Sequence, residues 1–352
     1  MLQRRFVAVD ENRRLPAEGS LAPLMKKTVM SPPVLLSIVY RACHRACVSA
    51  AAAALVLLPF RAQGAALADD AGLLSLCLTT RPPLTPDGLW QAWSFAPVIL
   101  VPLALMLGLY VWALASDGRR ETGSEPALFV GGWLLLAIAL VSPLCRMSAT
   151  LAWAHMVQHV ILVALAPPLL VLGAGSLCGR MLGLPADTRS SGTAAIRNHR
   201  LRMLSGPTAA SILYAGAIWA SHVPLIYQIA LKNAAAHVVV TFGLVVVSIV
   251  FWRAVIDAMR NRRASSGAGG LALLALFFAM VQTGLLGALL ALSPTPWYPV
   301  FAGSVAIWGM TPLEDQQLAG LIMWVPMGAI YLIAGLILTM IVVFGRARSG
   351  WA

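Results

Sequence analysis

Four histidines and one aspartate are the residues of this sequence best suited to bind a ligand. His155 and His159 are spaced i, i+4, so on a helix both side chains would point from one face, one turn apart. His222, His237 and Asp315 follow later in the chain. Neutral imidazoles are common ligands of copper, zinc and haem iron. The pattern therefore predicts a metal site, although an interhelical hydrogen bond would also explain the His155/His159 pair.

Asp315 and two methionines complete the set of candidate ligands. The carboxylate of Asp315 would serve as a metal ligand or orient a histidine, and it would equally well cap the N-terminus of its own helix. Met156 and Met323 carry thioethers, which suit Cu(I), but methionine in a membrane helix more often fills space. We therefore predict the ligand set His155, His159, His222, His237 and Asp315, without the methionines.

The composition shows what kind of protein must position these residues. Of 352 residues, 59% are hydrophobic and only 11% are charged, and the mean hydropathy is +0.82. A soluble domain carries about a quarter charged residues, so this chain lacks the charge to cover a soluble surface. The composition excludes a soluble enzyme, a disordered chain and a nucleic-acid binder. It predicts a polytopic protein whose surroundings are the lipid bilayer.

Seven apolar segments predict an all-α fold with seven transmembrane helices. They lie at about 95–115, 126–144, 151–173, 206–221, 235–252, 271–292 and 318–344. Each is too long and too evenly apolar for a half-buried strand, and a helix satisfies its own backbone in lipid. The fourth is the shortest and is expected to borrow residues from its flanks. Pro167 and Pro168 should kink the third and free carbonyls that neighbouring helices must satisfy.

The basic residues predict the orientation of these helices. Alternate loops and the C-terminal tail carry 13 arginines, against 2 basic residues in the other loops. The 13 are Arg119, Arg120, Arg180, Arg189, Arg197, Arg200, Arg202, Arg253, Arg260, Arg262, Arg263, Arg346 and Arg348. Since cytoplasmic loops collect arginine and lysine, the C-terminus is predicted to be cytoplasmic and the N-terminus to be outside. All four histidines and Asp315 then lie at the outer ends of their helices.

The N-terminal part of the chain has the pattern of a signal-like leader, with an uncleaved first helix as the alternative. Basic residues precede an apolar run of about 15 residues, which is short for a span, and Ala66-Leu67-Ala68 offers a cleavage site. The predicted organisation is a leader at 1–68, an outer segment at 69–94, a transmembrane domain at 95–345 and a cytoplasmic tail at 346–352. The five cysteines form no CxxC pair and predict no disulfide framework. Four residues near the outer helix ends are predicted to be interfacial aromatics, namely Trp153, Tyr227, Trp297 and Tyr298.

Three functions remain open on these residues alone. The first is copper binding by the four histidines. The second is a membrane-embedded zinc hydrolase that uses His155, His159, His237 and Asp315. The third is a haem-binding membrane protein with His159 and His237 as axial ligands.

Three stretches of the chain carry a family resemblance. They are 153–159 (WAHMVQH) with 166–173 (APPLLVLG), then His222-Val223-Pro224 with Tyr227, His237 and Phe251-Trp252, and finally 315–324 (DQQLAGLIMW). Together they resemble the CtaG-type family of caa(3)-type cytochrome c oxidase assembly factors, over about residues 90 to 345. The family pattern has a second histidine one turn after His237, where this chain has Thr241.

The resemblance implies a non-enzymatic role in assembling a haem–copper oxidase, with copper as the metal handled. It implies a multi-pass protein of the bacterial inner (plasma) membrane. Its partners would be cytochrome c oxidase subunits or other oxidase assembly factors of the respiratory chain. Because this chain has Thr241 where the family pattern has a histidine, it differs from the family either in the number of metal ligands or in the role of that position.

Overall fold

The computed structural model describes residues 77–78, 84–116, 124–181, 206–260 and 267–347, all within one compact unit, Val48–Ala352. The predicted leader at 1–68, most of the predicted outer segment and residues 348–352 of the predicted tail lie outside these ranges. Regular structure in the described ranges is entirely helical, which confirms the all-α class. The helices are α1 (Pro97–Ser116), α2 (Glu125–Val141), α3 (Pro143–Ser148), α4 (Ala152–Val160), α5 (Ala166–Met181), α6 (Pro207–His222), α7 (Pro224–Lys232), α8 (Ala234–Arg260), α9 (Ala268–Leu292), α10 (Ala302–Val305) and α11 (Pro312–Ala347).

The long helices have the length and apolarity of membrane spans. Five stretches meet that test: Pro97–Ala115, Ala152–Ala174, Ala234–Met259, Ala268–Leu292 and Pro312–Met340. The helices α6 and α7 form a pair bent by 72°, which makes six if the pair is one span. With 17 residues, α2 is shorter. Six of the seven predicted segments fall mainly on one helix each, and the third falls on α4, α5 and the turn between them. Helices long and apolar enough to span a membrane are confirmed, whereas the count of seven and the orientation stay predictions.

The third predicted segment is the central one. In its apolar stretch, Ala152–Ala174, 61% of the residues in an apolar 18-residue segment are buried by the rest of the protein. The corresponding share in the other four spans is at most 44%. This stretch carries His155 and His159. A helix that is surrounded by other helices can present side chains to several of them at once, so its position suits a site built from more than one helix.

A π-helical turn, Ile161–Leu165, joins α4 to α5. Pro167 has no N–H and its ring would clash with the carbonyl of Val163, four residues earlier. The indole Nε1 of Trp252 on α8 donates to that carbonyl oxygen at 3.2 Å. Pro167 therefore acts as predicted in one respect, because it releases a backbone carbonyl that a neighbouring helix satisfies, whereas the predicted kink stays a prediction.

The helices α9 and α11 approach each other closely through two glycines. A Cβ on Gly287 would lie 2.8 Å from the carbonyl oxygen of Gly320, and one on Gly320 would overlap the backbone of Ala291. Small residues permit such contact between membrane helices, which is stabilised by packing rather than by the hydrophobic effect. The contact fixes the start of α11, where Asp315 lies.

Candidate metal centre

The four predicted histidines line one small cavity between helices. His155 and His159 come from α4, His222 is the last residue of α6, and His237 lies in the first turn of α8. The cavity has a volume of about 30 Å³. That is space for one or two water-sized species. The structure thus brings together four side chains that the sequence places at one membrane level.

Two local signals fix where His222 and His237 lie. Pro224 restricts Val223 to an extended conformation, φ −60° and ψ 125°, so α6 ends at His222 and the chain bends into α7. Asn233 then caps α8, since its side-chain oxygen accepts a hydrogen bond from the backbone N–H of Ala236 at 2.9 Å. The short α7 between these two signals returns the chain to the same level, so both histidines face the cavity.

Backbone carbonyls orient the imidazole rings. The Nδ1 of His155 lies 3.2 Å from the carbonyl oxygen of Ser148, and that of His222 lies 2.8 Å from the carbonyl oxygen of Ile218. His237 makes a corresponding bond to the backbone of Ala230. Because a carbonyl oxygen only accepts, the Nδ1 of His155 and of His222 must carry the proton, which leaves the Nε2 lone pair free. Metal-binding histidines are commonly held in this way.

Four polar atoms of the cavity residues are buried without a hydrogen-bond partner among the described residues. They are the Nε2 atoms of His159, His222 and His237 and the hydroxyl oxygen of Tyr227. Each buried unsatisfied polar group costs about 1–3 kcal/mol, and native proteins contain few of them. Four such atoms around one cavity are positioned to contact a bound water molecule or a metal ion.

The imidazole rings are close together, but they do not form a metal-binding group in this structure. The centroids of His159 and His222 are 5.2 Å apart, and the ring of His155 lies 5.0 Å from that of Tyr227. Within the described ranges, no three His, Cys, Asp or Glu side chains already form a metal-binding group. Small rotations of the side chains would therefore accompany metal binding. Met156 and Met323 are core residues and are not part of the cavity lining.

Asp315 is placed beside the cavity and engages the N-terminus of α4. Its two carboxylate oxygens accept hydrogen bonds from the backbone N–H groups of Ala152, at 2.7 Å, and Trp153, at 3.0 Å. It does not cap its own helix, as one alternative proposed. There, Thr311 and Glu314 form a reciprocal capping box. Asp315 thus holds in place the helix that carries His155 and His159, and it does not line the cavity.

The prediction for Tyr227 and Tyr298 was wrong, and of the two only Tyr227 lines the cavity. Tyr227 and Tyr298 were predicted to lie at the membrane interface, yet each is only 3% exposed and their rings stack with centroids 4.2 Å apart. The hydroxyl of Tyr298 donates to the carbonyl oxygen of His222 at 2.9 Å. Burial raises the pKa of this hydroxyl well above its ordinary value, so it stays a donor. Only the closeness of Tyr227 to His222 in sequence, five residues apart, indicated that this tyrosine lies near the histidines.

A disulfide between Cys77 and Cys145 was also missed. The residues are 68 apart in sequence, and no spacing rule pairs them. The amide nitrogen of Gln158 lies 3.4 Å from the sulfur of Cys77 and donates to the carbonyl oxygen of Ala139 at 2.8 Å. Since Gln158 also lines the cavity, the disulfide ties residue 77 and α3 to the wall of the candidate site.

The family model described as cytochrome c oxidase caa3 assembly factor matches residues 105–343, about two thirds of the chain. No curated protein and no solved structure matches the chain. The matched range includes all four cavity histidines and Asp315.

Proposed function

This chain belongs to the cytochrome c oxidase caa3 assembly factor family, and we propose that it binds copper for oxidase assembly in its histidine-lined cavity. In this role the chain is not an enzyme. Copper is a cargo that it holds or passes on, and its partners are oxidase subunits or other assembly factors. The proposed location is the inner (plasma) membrane of a bacterium.

The three unpartnered Nε2 atoms of His159, His222 and His237 are the observation that carries this proposal. Imidazole nitrogen is a good donor to copper, and the carbonyl bonds to His222 and His237 set the orientation of those rings. His155 lines the same cavity and is the fourth candidate donor. Asp315 supports the site indirectly, through its two bonds to the N-terminus of α4.

The outer face of the membrane is the side on which we place the cavity. The ratio of 13 to 2 basic residues puts the histidine-bearing helix ends outside. The disulfide supports this orientation independently, because disulfides persist in oxidising compartments such as the bacterial periplasm. Both cysteines lie toward that same end, Cys77 before α1 and Cys145 between α2 and α4.

Neither alternative function gains support from the site. A cavity of about 30 Å³ is far smaller than typical cofactor pockets of roughly 300–1,000 Å³, so it does not accommodate a haem. The hydrolase hypothesis needs the carboxylate of Asp315 at the metal. That carboxylate is instead engaged by the backbone N–H groups of Ala152 and Trp153.

A paired measurement of bound copper and oxidase activity tests the proposal. The full chain, purified in detergent, is loaded with copper and desalted, and the metal content is measured. We expect the double variant His159→Ala/His222→Ala to lose most of the bound copper and to support little oxidase activity in cells that depend on this gene. His199→Ala is the matched control, because His199 belongs to the arginine-rich loop outside the described residues. A double variant with full copper content and full oxidase activity would refute the proposal.

A further inference from the structure

We propose that the cavity selects a monovalent soft cation, Cu(I), over the divalent ions Cu(II) and Zn(II). This inference rests on the proposed function, since it concerns the charge state of the metal that the histidines bind. It follows from the lack of charged side chains among the described residues that line the cavity.

The polar lining of the cavity is uncharged. It consists of the four histidines, the hydroxyl-bearing residues Ser221, Tyr227 and Thr241, and the amide of Gln158. The other described lining residues are aliphatic. No carboxylate and no free thiol is among them, so a bound cation would keep its whole charge.

Two groups close to the cavity residues could in principle supply a negatively charged ligand, and neither is free to do so. Both oxygens of Asp315 accept backbone N–H groups of α4, at 2.7 and 3.0 Å. Cys77, which Gln158 contacts, is oxidised in a disulfide with Cys145 and offers no thiolate. A metal in the cavity would therefore bind only neutral donors, and the charge of Asp315 would act on it without a direct bond.

The charge of the ion then decides which metal binds. The cost of transferring an ion from water into a medium of low dielectric constant grows with the square of its charge, so a divalent ion costs about four times as much as a monovalent ion of the same size. Negatively charged ligands normally offset that cost, and this lining supplies none. Zn(II) sites usually complete four ligands with thiolate, carboxylate or water, whereas Cu(I) is stable with few neutral donors.

Competition binding to the full chain in detergent tests the selectivity. The probes are Cu(I) kept reduced without oxygen, Ag(I) as a redox-inert monovalent ion, and the divalent ions Zn(II) and Cu(II). We expect Cu(I) and Ag(I) to bind at least about 10- to 100-fold more tightly than Zn(II), a range typical for a change in the immediate surroundings of a metal. Equal or tighter binding of Zn(II) or Cu(II) by the unmodified chain would overturn the inference.

A variant that adds one negative charge tests the cause of this selectivity. Thr241 lines the cavity one turn after His237, so Thr241→Asp places a carboxylate beside the histidines. We expect it to strengthen Zn(II) binding relative to Ag(I) by about 10-fold or more, whereas the neutral Thr241→Asn should not. Ser221→Asp repeats the test from α6 if Thr241→Asp does not fold. A folded aspartate variant with unchanged selectivity would contradict the inference.

The possible failures are distinguishable. A chain that binds none of the four ions refutes the proposed copper function itself. A chain that binds Cu(I) and Zn(II) equally through His159 and His222 leaves metal binding intact and refutes only the selectivity.

Discussion

Two stacked tyrosines, Tyr227 of the cavity lining and its neighbour Tyr298, differ in the hydrogen bonding of their hydroxyl groups. The two rings stack, with centroids 4.2 Å apart, and both are buried. The hydroxyl of Tyr298 donates to the carbonyl oxygen of His222, whereas the hydroxyl of Tyr227 has no partner among the described residues. One hydroxyl stabilises the fold, and the other is available to a bound ligand.

This difference gives a prediction for the metal-free protein. Tyr227→Phe removes a hydroxyl that makes no hydrogen bond, so we expect the free energy of unfolding to stay the same or to rise by up to about 1 kcal/mol. Tyr298→Phe removes a bond made in a buried setting and should lower it by about 1 kcal/mol. Thermal unfolding of both variants in detergent after metal removal measures the effect. If Tyr227→Phe were the more destabilising change, its hydroxyl would have a structural partner.

At the scale of elements, a residue of α11 fixes the start of α4. Asp315 accepts two backbone N–H groups that a helix leaves unpaired at its N-terminus, and its negative charge interacts favourably with the helix dipole. The orientation of the helix that carries His155 and His159 therefore depends on α11. The close glycine contact of α9 with α11 holds that support in turn.

Removal of this cap should be costly. We expect Asp315→Ala to lower the free energy of unfolding by about 2–3 kcal/mol, because two charge-assisted hydrogen bonds are lost and the buried N–H of Ala152 and the half-buried N–H of Trp153 lose their acceptor. Glu314→Ala is the matched control. Its carboxylate is exposed and caps only α11, so its effect on thermal unfolding should be clearly smaller. Equal effects of the two substitutions would show that Asp315 does not hold α4.

The sequence predicts the elements better than it predicts their contacts. The apolar segments predicted all the long helices, and Pro167 and Pro168 predicted a released carbonyl. These predictions were possible because length, apolarity and proline affect only the backbone around them. The π turn itself and the capping of α4 by Asp315 depend on which helices become neighbours. A residue 163 positions away along the chain cannot be recognised as a cap from local spacing.

At the scale of the whole molecule, the sequence predicted that the histidines lie at the same depth in the membrane. It did not predict the other residues that surround the cavity. Sorting basic residues by loop placed His155, His159, His222 and His237 at one level, and the structure brings them to one cavity. The burial of Tyr227 and the Cys77–Cys145 disulfide were not predicted from the sequence, because burial and cysteine pairing are set by tertiary contacts. Five cysteines allow many pairings, and none has a diagnostic spacing.

The cysteines provide a test of orientation for the whole chain. Under the predicted topology the disulfide faces outward, and Cys178, near the end of the arginine-flanked α5, faces the cytoplasm. Intact spheroplasts are treated with a membrane-impermeant maleimide, and a second sample is denatured and labelled with and without prior reduction. Cys77 and Cys145 are buried, so we expect them to react only in the denatured and reduced sample, as a disulfide formed in an oxidising compartment would. Cys178 should react only after permeabilisation, and Cys178→Ser should abolish that signal alone. Labelling of Cys178 in sealed spheroplasts would reverse the orientation and place the histidine cavity on the cytoplasmic side.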